Sequence, residues 1–334
     1  MWSIGRDRVH TARAVVELIA AGDRGLDAAL GAYLTIQQAL AALDRLEVRG
    51  RDSAGIHLFV WDHDLDVDDP AVRSELEGER SDLLFQNRAA RLIDGVLSIV
   101  YKAAAEIGEL GDNTRVIREA VKTDQLLHRA LAHPRARLSL LGHTRWASVG
   151  IISEPNAHPV NSEGTRTVDG LIAGEPYVVA ALNGDVDNHD ELRVEHELVF
   201  PGPITTDAKV IPALIRAHAL TSGDLVDGFR RSVASFEGSV AIGAMSSSDP
   251  NKIMISLRGS GQGLFVGMAQ DSFIVASEPY GVVEETSTYL RLDGEAMGHA
   301  GELAAGQIVV LDGSRAGEAA GLRRLSFDGT DLPI

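Results

Sequence analysis

A change of texture at Pro134 limits what this chain can fold into more than any other feature. Before it, apolar residues recur at helical spacing. After it, short β-type runs take over at 137–142, 178–182, 239–245, 253–257, 264–268, 272–276 and 308–312, interrupted by helical patterns at about 187–197, 206–219 and 223–235. Strands grouped with helices set between the groups call for stacked antiparallel sheets flanked by helices, an α+β architecture. Upstream, Val9, Ala12, Val15, Val16 and Ile19 predict one helix, and a second runs from Leu26 to Leu46. A turn at Arg49-Gly50-Arg51-Asp52 leads into the β-type run Ile56–Val60, and helical patterns return at 80–108 and 113–131. The expected organisation is therefore a helical N-terminal segment, 1–46, and a main domain, 47–334, carrying a helical insertion at about 62–136.

Composition then removes whole classes of function. With 31 Lys and Arg against 48 Asp and Glu, the net charge is −17, opposite in sign to what nucleic-acid or anionic-membrane binding uses. The 334 residues contain no Cys, which removes disulfides, thiolate-held zinc, iron–sulfur clusters and any thiol nucleophile on this chain. No apolar run approaches the ~20 residues of a membrane-spanning helix. A cytoplasmic location is expected, with no metal or organic cofactor. The acidic run at 62–69 lacks the glycine and closing glutamate of a calcium loop and reads as a solvated turn.

Four polar clusters remain. They are Arg49-Gly50-Arg51-Asp52-Ser53-Ala54-Gly55; Gly142-His143-Thr144-Arg145-Trp146-Ala147-Ser148 with the following Asn156-Ala157-His158-Pro159; Asn183-Gly184 with Asn188-His189-Asp190-Glu191-Leu192; and Thr205-Thr206-Asp207. Each has a plain structural reading. Asn-Gly is the preferred type I′ hairpin turn. Arg145 fits a surface ion pair, Asp207 a helix cap, His143 and His158 hydrogen-bonded core histidines, and Trp146 packing. Taken together they read differently. Arg145 can grip a carboxylate with both arms of its guanidinium, and Asp207 can hold an ammonium, which is the minimum set for a free α-amino acid. Asn183 and the Gly184 N–H at a strand end are suited to stabilise an oxyanion in acyl transfer. The combination suggests hydrolysis of a glutamine or asparagine side-chain amide.

In order and spacing, these blocks resemble the class II, N-terminal-nucleophile glutamine amidotransferase domain. They are most similar to the glutaminase half of glutamine–fructose-6-phosphate aminotransferases. Arg258-Gly259-Ser260-Gly261, Gly263–Gly267, Ala276-Ser277-Glu278 and the run Thr288–Asp312 continue the pattern, so the resemblance covers roughly residues 46–60 and 138–328. It implies an αββα sandwich of two antiparallel sheets with extra N-terminal and inserted helices. It further implies that Arg145 binds the α-carboxylate of glutamine with Trp146 and Ser148 beside it, that Asp207 binds the α-amine, that Asn183 and Gly184 form the oxyanion hole, and that Arg49 positions the nucleophile. The implied partners are glutamine and a sugar-phosphate isomerase half, downstream on the same polypeptide or in trans, with self-association as a further expectation. The nucleophile implied is an N-terminal Cys whose own α-amine serves as base.

The sequence departs from that pattern where the chemistry begins. No Cys is present, and Met1-Trp2-Ser3-Ile4 echoes a Met-Cys-Gly-Ile start only weakly. Val149 stands where the family usually has His, and Val48 and Arg51 where it usually has Tyr. Two accounts follow. In one, the chain begins downstream of the nucleophile strand and belongs to a working glutaminase. In the other, it is a non-catalytic amidotransferase-like domain that binds or regulates. A different N-terminal-nucleophile hydrolase is the third reading.

Overall fold

In the computed structural model, residues 2–20, 30–78, 80–104, 109–146, 148–164, 175–297, 301 and 305–334 are described, with the side chains of 2–7, 20 and 49 outside that description. The chain forms two compact units, Met1–Ala147 with Ile152–His158, and Ser148–Ile151 with Pro159–Ile334. This division differs from the expected boundary at residue 46, because the N-terminal helices share a core with strands that follow them.

The first unit contains helices α1 (Trp2–Ala20) and α2 (Leu30–Leu46), strand β1 (Ser53–Trp61), helix α3 (Pro70–Glu77), strands β2 (Ala90–Ile93) and β3 (Val96–Ala104), helices α4 (Asp112–Lys122) and α5 (Gln125–Leu131), and strand β4 (Arg137–Arg145). The sheet runs β2-β3-β1-β4, antiparallel throughout. One face of it is apolar: Ala54, Ile56, Leu58 and Val60 of β1 and Leu97, Ile99, Tyr101 and Ala103 of β3 pack with Leu18, Ile36, Leu40, Leu43, Ile117 and Val121 of the helices. Within α1 the buried residues are Val15, Leu18 and Ile19, whereas Val9, Ala12 and Val16 are exposed, so the inward face keeps Val15 and Ile19 of the expected stripe and gains Leu18.

The span expected as a helical insertion is only partly helical. Residues 90–104 form a hairpin that supplies the sheet with β2 and β3. Both faces of β3 are buried, so apolar residues occupy nearly every position and the period-2 signature is lost. The turn is Asp94-Gly95, both with positive φ, as a two-residue hairpin of this hand requires. In the acidic run, Asp66 accepts from the Asp68 N–H and Asp69 caps α3 through the Ala71 N–H.

The second unit holds β5 (Val160–Asn161), β6 (Val178–Gly184), helices α6 (His189–Glu195), α7 (Val210–Ser222) and α8 (Leu225–Ser235), and strands β7 (Val240–Ser246), β8 (Lys252–Arg258), β9 (Phe265–Ala269), β10 (Ser272–Ala276), β11 (Tyr289–Arg291), β12 (Gln307–Asp312), β13 (Leu322–Leu325) and β14 (Asp331–Leu332). Seven strands form one antiparallel sheet, β14-β13-β12-β8-β7-β6-β5, and three form another, β10-β9-β11. Alternation along the strands makes the large sheet two-sided. Val178, Ala180, Leu182, Val240, Ile242 and Ile308 pack with Ile211, Leu214, Phe229 and Val233 of the helices. Ala241, Ile255, Leu257, Val309 and Leu311 point the other way, into a core shared with Val266, Val275 and Leu290 of the small sheet. This unit is thus layered helix, sheet, sheet, and the fold is α+β with antiparallel sheets. No helix among the described residues is long and apolar enough to cross a membrane.

Candidate functional site

In the second unit, the end of β6 gathers four of the expected residues. Asn183 pairs with Ala241 and Gly184 with Val240, so the Asn-Gly step lies inside the sheet and is not a hairpin turn. Of the two, only Gly184 has positive φ, +107°. A Cβ at Gly184 would lie 1.9 Å from the Ser239 carbonyl oxygen, so the strand closes on its neighbour only because no side chain is present.

The chain leaving this strand end carries the next contacts. Asp185 accepts a hydrogen bond from the Ser148 hydroxyl. The Val186 N–H donates to Oδ2 of Asp207 at 2.8 Å. Asp207 is buried and opens the short 3-10 turn Asp207–Lys209 that feeds α7. Burial pushes its carboxyl above the usual aspartate range, Asp185 adds to the push, and the N–H groups of Val186 and Ala208 pull back. The helix-cap reading is not what the turn shows: Thr206 occupies the cap position, Asp207 is the first residue of the turn, and its carboxylate reaches the chain leaving β6. Gly150 lies against Thr205 and Thr206, which sets the segment Ser148–Ile151 alongside the Asp207 turn. Ser148, Asn183, Gly184 and Asp207 are thus joined through residues 185 and 186.

The remaining expected residues belong to the first unit. Arg145 ends β4, opposite Ser53 of β1, and is buried. Its carbonyl accepts from the Asp52 N–H at 3.1 Å. A Cβ on Gly50 would come within 2.9 Å of the Arg145 carbonyl carbon, so the Arg-Gly block and the Gly-His-Thr-Arg block lie backbone to backbone. Arg49 closes the 3-10 turn Glu47–Arg49, and its side chain lies outside the described residues. Glu47, buried in the same turn, accepts from the Gly111 N–H at 2.6 Å, and burial raises its carboxyl. Trp146 is 72% exposed, so it is not core packing. The Asn-Ala-His-Pro block closes over Gly55, where a Cβ would meet the His158 carbonyl oxygen at 2.3 Å. The His143 and His158 rings stand 4.7 Å apart, centre to centre.

Two features escaped sequence reasoning. Lys209 is buried, with Nζ 2.7 and 2.6 Å from the backbone and side-chain oxygens of Asn161. The available signal was a lone charge between Ala208 and Val210 at the start of an apolar helix. His57 is buried with Nε2 2.8 Å from Ser98 Oγ, and burial lowers its pKa to about 3, with the nearby Lys102 charge adding to the shift. Among the described residues, no group of three or more His, Asp or Glu is placed to hold a metal ion.

No family model matches the sequence. Individual proteins do. Glutamine–fructose-6-phosphate aminotransferase (isomerizing) of Xanthomonas campestris pv. campestris is 30% identical over 177 residues, 53% of this chain and 26% of that protein. The enzyme of the same name from Bacillus cereus is 26% identical over 253 residues, 76% of this chain and 32% of that protein. Over these stretches the chain is similar to glutamine–fructose-6-phosphate aminotransferases. It spans a third or less of the length of these two relatives, 26% and 32%. Among solved structures, glutamine phosphoribosylpyrophosphate amidotransferase from B. subtilis, complexed with ADP and GMP, aligns with a TM-score of 0.46 and 18% identity, over 82% of this chain and 49% of that one.

Proposed function

We propose that this chain is the glutamine-recognising domain of a glutamine–fructose-6-phosphate aminotransferase-like protein, of the class II amidotransferase type. The observation that carries the reading is the end of β6, where Asn183 and Gly184 stand three and two residues from a backbone N–H that holds the buried Asp207 carboxylate. In this reading Asp207 receives the α-ammonium of glutamine. A desolvated carboxylate gains most from such a partner, and its raised pKa returns toward the ordinary range when the cation arrives. Asn183 and the Gly184 N–H face the side-chain amide and stabilise the oxyanion that forms on its carbonyl. The resemblance further assigns the α-carboxylate to Arg145, Trp146 and Ser148, and the nucleophile end to Arg49.

The chain has no Cys, so the thiol that attacks the amide and the amine that takes its proton come from outside this sequence. This chain alone then binds glutamine and leaves it intact. In the complete protein the released ammonia passes to a sugar-phosphate isomerase domain on the same polypeptide or a partner. Calorimetric titration of L-glutamine into the chain tests the binding. Saturable binding that is lost in Asp207→Ala and in Arg145→Ala supports the assignments; binding indifferent to both removes them.

The absence of Cys also favours a second reading, a domain that senses an amino acid without hydrolysing it. The N-terminal sequence of the protein purified from its own cell separates the two. A leading Cys makes the domain a glutaminase; a mature protein without one makes it a sensor.

A further inference from the structure

The geometry points to Lys209 as the positioning residue for Asp207, setting that carboxylate to receive an α-ammonium before any ligand arrives. The inference rests on the reading of Asp207 given above, and it adds a residue that the resemblance does not assign. Lys209 is 1% exposed. An ammonium is kept out of water only where its donors are met, and Asn161 offers this one two acceptors. Nζ lies 2.7 Å from the Asn161 carbonyl oxygen and 2.6 Å from its Oδ1. The charge also stands 5.8 Å from the centre of the Phe200 ring.

Asn161 is itself fixed. It is fully buried in β5, opposite Val179 of β6, and its Nδ2 lies 3.2 Å from both the Tyr177 hydroxyl and Glu163 Oε2. The turn Asp207–Lys209 is short, closed by the Lys209 N–H on the Thr206 carbonyl at 3.2 Å. It is therefore tied twice: Lys209 fastens it to β5, and Asp207 fastens it to the chain leaving β6 through the Val186 N–H. With β5 and β6 paired, the two ties leave the Asp207 carboxylate little freedom to turn. Ordering it in advance removes that cost from ligand binding.

The consequence is selective. A ligand with an α-amine gains from the preset carboxylate, and a ligand without one does not. The test uses the chain as it stands with two probes, L-glutamine and 4-carbamoylbutanoate, which is glutamine without its α-amine. Lys209→Met is expected to weaken L-glutamine binding about tenfold or more, the scale of a lost charged hydrogen bond, and to leave 4-carbamoylbutanoate unchanged. Equal weakening of both probes overturns the inference. A second readout needs no ligand. Hydrogen exchange at the Val186 amide is expected to rise about tenfold in Lys209→Met, while the amides of β8 and β12 keep their rates. An unchanged Val186 rate in a folded variant also overturns it. If Lys209→Met does not fold, Asn161→Ala, which removes the Oδ1 acceptor, is judged on the same exchange criterion. If the unaltered chain fails to bind L-glutamine, the proposed function falls, and Val186 exchange still decides whether Lys209 positions Asp207.

Discussion

At the scale of single residues, the sharpest constraints are places where a side chain has no room or no water. Gly184→Ala would set a methyl 1.9 Å from the Ser239 carbonyl oxygen at a φ of +107°. The expected loss is about 2–4 kcal/mol in urea denaturation, together with weakened glutamine binding; a stable variant that binds normally would mean that the strand can move aside. His57 gives a pH dependence. Its pKa falls from an ordinary value near 6.5 to about 3 because burial opposes its charge. The unfolded chain therefore takes up a proton below about pH 6.5 that the folded chain refuses. Stability from this residue is complete above that pH and declines as pH falls toward 3, at a limiting slope of about 1.4 kcal/mol per pH unit. His57→Gln, which keeps a polar group near Ser98 but cannot titrate, is expected to flatten this part of the profile. Denaturation midpoints between about pH 7 and about pH 4 would show it, and an unchanged slope would assign the effect elsewhere.

At the scale of elements, Asp124 shows how one side chain joins several. It caps α5 through the N–H groups of Leu126 and Leu127, accepts both arms of Arg80 at 2.9 and 2.6 Å, and accepts the Tyr101 hydroxyl at 2.9 Å. Burial alone would raise its carboxyl, but Arg80, the Leu127 N–H and the hydroxyl outweigh burial and bring it below the usual range. Arg80 also lies 3.1 Å from Glu75 and donates to the Arg88 carbonyl at 2.8 Å, but Asp124 is its buried, two-armed partner, so Asp124→Asn is expected to cost about 3 kcal/mol by thermal or chemical denaturation. A loss under about 1 kcal/mol would show that Glu75 and the Arg88 carbonyl suffice for Arg80. Seven of the strands after Pro134 were legible because each run is bounded by turn residues; β5, β11, β13 and β14, of two to four residues, were too short to show alternation and were missed. Residues 90–104 were not, because β3 is buried on both faces and so lacks alternation. The Asp94-Gly95 step, flanked by apolar residues, was the overlooked clue. The break between α4 and α5 follows from the same Asp124, whose side chain competes for the backbone N–H groups of the next turn.

At the scale of the whole molecule, each unit has a core of its own, and the recognisable motif blocks divide between them: Arg145 and Trp146 in the first, Ser148, Asn183, Gly184 and Asp207 in the second. Their order along the sequence carries the resemblance to class II amidotransferases, since each block has only a few residues and none is specific by itself. The Lys209–Asn161 contact was beyond sequence reasoning, because its members are 48 residues apart and meet only through the pairing of β5 with β6. A net charge of −17 makes the folded chain repel itself. Raising NaCl from about 20 to about 200 mM, which shortens the screening length to roughly that of physiological salt, is expected to raise the melting temperature by about 2 °C or more. A fall would mean that specific ion pairs outweigh the repulsion. The lengths of the outermost strands decide what can grow on these sheets. In the second unit the large sheet ends on both sides in two-residue strands, β5 and β14, which offer an incoming chain almost no template. In the first unit the described sheet ends in the nine-residue β4, long enough to seed a filament. Only its first residue sets a charge against such growth: Arg137 is exposed, with its guanidinium held 5.4 Å from the Trp61 ring of the neighbouring strand, where an incoming chain would have to desolvate it.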